Sequence, residues 1–89
     1  DQKARFAASG WNVLACDGHD MADVMRAFEA ATKSDRPVMI ACKTTIGYGA
    51  PKKAGTAKAH GEPLGAEELD GAKAAIGWSY APFEVPETI

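Results

Sequence analysis

With 89 residues the chain holds one domain at most, and a domain of that size buries only about 60% of its unfolded surface, so its core is small. A net charge of −2 and a pI near 5.6 set aside nucleic acid and anionic membranes as partners, since both call for a concentrated basic face. Without a run of about 18 apolar residues, or an apolar segment after Asp1, neither a membrane span nor a signal peptide is expected, and the chain reads as a soluble cytoplasmic protein.

Residues 3 to 9 (KARFAAS) are good helix formers, and Gly10 follows where a left-handed glycine ends a helix. Trp11 to Cys16 (WNVLAC) is short, apolar and bounded by Asp17-Gly18, which suits a buried strand. Asp20 is placed to accept the first free amides of a helix, with Asp23 favouring its positive end. Met21, Val24, Met25 and Phe28 recur at i, i+3, i+4 and i+7, so an amphipathic helix is expected to about Thr32 with Met21, Met25 and Phe28 facing the core. His19, at its start, is assigned to local capping.

Lys33 to Arg36 form a polar connection, and Pro37 opens a second strand, PVMIAC. A strand, a helix and a strand of these lengths make a parallel pair with a right-handed crossover. Cys16 and Cys42 each close an apolar run, as buried reduced thiols do, and with two histidines besides they argue against a zinc site. After a glycine-rich stretch, Ala66 to Ile76 form a third helix with Leu69, Ala72 and Ile76 inward, ended by Gly77. The tail, WSYAPFEVPETI, carries two prolines and is expected to be extended. The order helix, strand, helix, strand, loop, helix defines an α/β chain. Two parallel strands and three short helices cover both faces of a sheet poorly. Trp78, Tyr80 and Phe83 lie outside regular elements, where large aromatics pack on something else, so the chain is expected to be a piece of a larger protein.

The stretch from Lys43 to Gly65, KTTIGYGAPKKAGTAKAHGEPLG, is longer than most loops of compact domains, and loops of that length are usually functional. Gly47, Gly49, Gly55 and Gly61 let the backbone approach a ligand. Ligands of open α/β sheets bind beyond the carboxyl ends of the strands. Lys43, Thr44, Thr45 and Ile46 therefore lie near such a crevice, and His60 reaches it if the loop folds back. Amides around glycine bind phosphate oxygens, and an imidazole adds a hydrogen bond or a charge. The spacing is neither a Walker P-loop nor a GxGxxG fingerprint. Taken alone, His60 reads as a surface loop histidine and Ile46 as strand-end core. Lys43 either pairs with a carboxylate at the strand end or approaches a phosphate, and Lys52, Lys53 and Lys58 read as a solvated loop face.

The run KTTIGYGAPKKAGTAKAHGEPLGAEEL resembles the corresponding segment of bacterial transketolases, and RFAASGWNVLACDGHD, RPVMIACKT and IGWSYAPFEVPE are similar to the text around it, in the same order. The resemblance covers nearly the whole chain. It implies part of a parallel-sheet, three-layer, thiamine-diphosphate-binding fold: residues 1–77 as the C-terminal portion of the diphosphate-binding domain, and residues 78–89 as the start of the linker to the next. It implies a transferase of the pentose phosphate pathway that moves a two-carbon ketol unit between sugar phosphates. Thiamine diphosphate and magnesium, or another divalent cation such as calcium, would serve it, in a cytoplasmic homodimer with the cofactor between subunits.

By the same resemblance His60, the histidine of HGxPLG, is the catalytic, cofactor-binding and substrate-binding residue, beside the diphosphate and the donor sugar's first hydroxyl. Ile46 is the apolar residue against the thiazolium ring. The family's GDG…N metal motif and its activating glutamate lie elsewhere. Asp17-Gly18 is not that motif, no metal ligand is assigned, and the isolated chain is expected to bind no cofactor and to be inactive, even with thiamine diphosphate and magnesium added. Two other readings stand beside this one: a related thiamine diphosphate enzyme, either a deoxyxylulose phosphate synthase or a dihydroxyacetone synthase, and a non-catalytic α/β interaction module using its tail aromatics.

Overall fold

A computed structural model describes all of residues 1–89. They form two compact units, Asp1–Thr44 and Thr45–Ile89.

The first unit runs α1 (Gln2–Ala8), β1 (Asn12–Asp17), α2 (Met21–Thr32) and β2 (Val38–Lys43). The Asp1 carboxylate caps α1 by accepting from Ala4 N at 2.8 Å. Phe6 then meets Trp11 edge-to-face at 5.0 Å, which packs α1 onto the entry to β1. The strands pair in parallel, in register from Asn12 opposite Val38 to Asp17 opposite Lys43. Each strand starts one residue later than the sequence implies. Trp11 and Pro37 stay outside the ladder, closed there by Asn12 N donating to Pro37 O at 2.9 Å. Asp20 caps α2 as expected, accepting from Ala22 N and Asp23 N.

The face that α2 turns to the sheet is a correction to the sequence reading. Met21, Met25 and Phe28 are exposed, whereas Ala27 is completely buried and Val24 half-buried. At 3.6 residues per turn the Met21, Met25 and Phe28 stripe lies on the opposite side of the helix from Asp23 and Ala27. Two polar clamps decide which side docks. Asp23 Oδ2 accepts from Asp17 N at 2.7 Å, and Arg26 Nη2 donates to Ala15 O at 2.8 Å. The small Ala27 side chain lets the backbone come close between them.

In the second unit, turns lead to α3 (Ala57–Gly61), a short helix that the sequence reading leaves as loop, and then to α4 (Ala66–Ile76). The bounds of α4 match expectation, with Gly77 left-handed at its end. Its inward face does not. Leu69 and Ile76 are exposed, Ala72 is half-buried, and the buried residue is Glu68. The reason is what α4 packs on: the loop backbone at Gly49 and the ring of Pro51, which the bare Gly71 admits.

The tail is not extended either. Ala81 O accepts from Glu84 N at 3.1 Å and Pro86 O from Ile89 N at 3.2 Å, closing two turns. Pro82 fixes the second position of the first turn, and Phe83 at the third takes φ 64°, the pattern of a type II turn. No helix is long and apolar enough to cross a membrane.

Candidate functional site

The candidate site is the stretch from Thr45 to Gly65, and its shape follows from three ties within the second unit. Ile46 O accepts from Gly55 N at 2.8 Å and Gly47 O accepts from Ala50 N at 2.9 Å, so the chain doubles back on itself. Gly47, Gly49 and Gly55 have positive φ, and Gly61 does not. At Gly47 the conformation has a packing consequence: a Cβ there would stand 3.0 Å from Ala59 Cβ. Only a bare backbone lets α3 approach so closely. Ile46 and His60 each adjoin one member of that contact, so the fold brings together the neighbourhoods of two residues far apart in sequence. Both side chains are exposed, Ile46 by 44% and therefore apolar surface open to a ligand.

The second tie is Lys53. Its ammonium donates to Pro63 O and Leu64 O, each at 3.2 Å, and stands 3.8 Å from Glu62 Oε2. The half-buried Lys53 therefore organises the HGEPLG word, which corrects its reading as part of a solvated face. Lys52 and Lys58 are exposed.

Glu68 is the third. From the first turn of α4, where the helix dipole favours an anion, its carboxylate accepts the backbone N–H of Lys52 at 2.9 Å and 3.3 Å. A buried carboxylate with one backbone donor is a costly feature, and its use here is to hold the loop against α4. The α4 periodicity, scored for apolar residues, passes over it; its place in the first turn of a helix after a glycine was the available signal.

Among the polar groups elsewhere, His19 N donates to Asp17 Oδ1 at 3.0 Å in the turn that precedes the α2 cap, consistent with a local role. Lys43 ends β2 opposite Asp17. Cys16 is buried but Cys42 is exposed, so one of the two thiols differs from expectation. No three His, Cys, Asp or Glu side chains are grouped so as to hold a metal ion. The loop itself leaves the His60 imidazole and the Ile46 side chain exposed on a backbone that packs tightly at Gly47, where a Cβ would stand 3.0 Å from Ala59 Cβ.

Known proteins resemble the chain over its whole length. The family model described as transketolase, thiamine diphosphate binding domain, matches residues 1–89. A transketolase of Cereibacter sphaeroides is 58% identical over 86 residues, covering 97% of this chain and 13% of that protein. One from Rhodobacter capsulatus is 55% identical, covering all of this chain and again 13% of the relative. A crystal structure of transketolase from Campylobacter jejuni superposes with a TM-score of 0.89 at 40% identity, covering 99% of this chain and 14% of the other. The α/β fold is thus that of a thiamine diphosphate binding domain. The chain belongs to the transketolase family, and spans a small part of the length of the relatives it matches.

Proposed function

We propose that this chain forms one wall of the thiamine diphosphate site of an enzyme that transfers a two-carbon ketol unit between sugar phosphates. The family match over the whole chain supports the cofactor. The relatives named transketolase support this reaction over those of the related synthases. Bound thiamine diphosphate supplies the electron sink for carbon–carbon cleavage.

The chain's own residues bind, shield and move a proton. The His60 imidazole donates a hydrogen bond to the donor sugar's first hydroxyl and exchanges a proton with that oxygen as the ketol unit is taken up and released. Ile46 covers the thiazolium ring and keeps water from it. The backbone approach of Gly47 to Ala59 is the observation that carries this pairing, because it gives both residues a common support. A divalent cation, magnesium or calcium, belongs to residues outside this chain. We place the end of the diphosphate-binding portion at residue 77, with residues 78–89 leading to the next domain, in a cytoplasmic homodimer of the full-length enzyme.

The test is steady-state ketol transfer by the full-length enzyme carrying His60→Ala, alongside cofactor binding followed by fluorescence. A fall in kcat of about 10²–10⁴-fold with cofactor affinity nearly kept is expected. Ile46→Ala should instead weaken cofactor binding first. A His60→Ala enzyme within twofold of the parent in both kcat and KM would remove His60 from the reaction.

A further inference from the structure

The one close pair of reactive side chains outside the candidate site is Cys16 and Cys42. They occupy the same rung of the parallel ladder. In-register residues of neighbouring strands project to the same face, and here the two sulfurs stand 3.6 Å apart with both thiols free. A disulfide requires about 2.05 Å between sulfurs and Cα atoms roughly 4.4–6.8 Å apart. Strands spaced by about 4.8 Å meet the second condition, so side-chain rotation with a small strand adjustment meets the first.

The surroundings hold the rung in place. One residue beyond the ladder Gly18 N donates to Lys43 O at 2.8 Å, and a Cβ on Gly18 would stand 2.6 Å from Thr44 Cγ2 and 3.4 Å from Cys42 Cβ. At the other end Asn12 N is bonded to Pro37 O. The strands therefore do not slide past one another, and the sulfurs stay within reach.

The two thiols are also unequal. Within residues 1–89 Cys42 is the exposed thiol and Cys16 the buried one. Burial first, and the neighbouring Cys42 thiol second, push the Cys16 thiol above its ordinary value, so it is the poorer first nucleophile.

We propose that Cys42 and Cys16 are an attacking and a resolving cysteine, an oxidative modification site that closes to an intramolecular disulfide in response to a hydroperoxide. The Cys42 thiolate attacks the terminal oxygen of the hydroperoxide. The O–O bond breaks, an alcohol or water leaves, and the sulfur, oxidised by two electrons, becomes a sulfenic acid. Cys16 then attacks that sulfur: the S–S bond forms, the S–O bond breaks, and the departing hydroxide takes the Cys16 proton as water. A dithiol reductant reverses the change. The site is independent of the cofactor reading.

The test is hydrogen peroxide treatment of the full-length protein, followed by peptide mass spectrometry without reduction. The expected product is a single cross-linked species containing Cys16 and Cys42, lighter by two hydrogens than the sum of its peptides and restored by a dithiol. In Cys16→Ser the same treatment should leave Cys42 as a sulfenic acid captured by a 1,3-dione probe, and in Cys42→Ser the Cys16 thiol should remain unmodified. Wild-type protein in which Cys42 advances to the sulfinic acid while Cys16 stays a free thiol would overturn the pairing. So would wild-type protein in which neither thiol reacts while the fold is intact; both outcomes are read without any variant.

Discussion

Gly71 lies in the interior of α4, where glycine costs a helix about 1 kcal/mol relative to alanine, and propensity alone would make Gly71→Ala stabilising. The ring of Pro51 occupies the space that its Cβ would need, and a proline ring has little freedom to yield. The substitution is expected to destabilise the full-length protein by about 1–3 kcal/mol, measured by urea unfolding; a gain in stability would mean that the loop does not sit on α4. Glu68 makes the complementary case. Glu68→Ala leaves Lys52 N without its acceptor, at a cost of roughly 1–3 kcal/mol, whereas Glu68→Gln keeps an acceptor oxygen and should recover most of the loss. Hydrogen exchange at the Lys52 amide checks this directly: fast in the alanine variant, slow in the glutamine variant. Neither residue's role was legible in the sequence, because a glycine and a glutamate on a helix read as a weak point and a surface charge until the opposing loop is present.

Among the elements, α2 shows most clearly what local pattern does and does not carry. Its start was legible at Asp20, since capping is a local bond from a side chain to amides two and three residues on. Its docking face was not, because the clamps run to Asp17 and Ala15 on the preceding strand. Those clamps make a pH dependence. The Arg26 guanidinium first, and the Asp17 N–H second, hold the Asp23 carboxyl below its ordinary range. A carboxyl whose pKa is lower folded than unfolded stabilises the fold above its unfolded value of about 3.9, and that contribution disappears as pH falls through the folded value. Unfolding midpoints of the full-length protein should therefore drop below about pH 4. Asp23→Asn should lower stability at neutral pH and remove this part of the acid dependence; an unchanged profile would mean that the clamp contributes nothing.

For the whole molecule the core is the limiting quantity. The buried apolar residues are Cys16, Ala27 and Ala50, and no large side chain is fully buried, while Met21, Phe28, Phe83 and Val85 are all more than half exposed. Small side chains of this kind contribute too little transfer free energy to offset the chain entropy of 89 ordered residues. Residues 1–89 expressed alone are expected to melt broadly and to bind a hydrophobic dye, whereas the full-length protein should protect Met21 and Met25 from peroxide oxidation. A sharp cooperative transition of the isolated chain would contradict this. The sequence by itself determined the order of elements, the parallel strand pair, the Asp20 and Gly77 helix ends and, through the KTTIGYG and HGEPLG words, the family. Caps, strand-forming runs and motif words are local, so they can be read along the chain. Only the tertiary structure decided which faces of α2 and α4 are buried, that Gly47 and Ala59 bring the neighbourhoods of Ile46 and His60 together, and that Cys16 stands beside Cys42. Each of these depends on close approach between residues distant along the chain, and such approach is fixed by packing rather than by any residue's own preference.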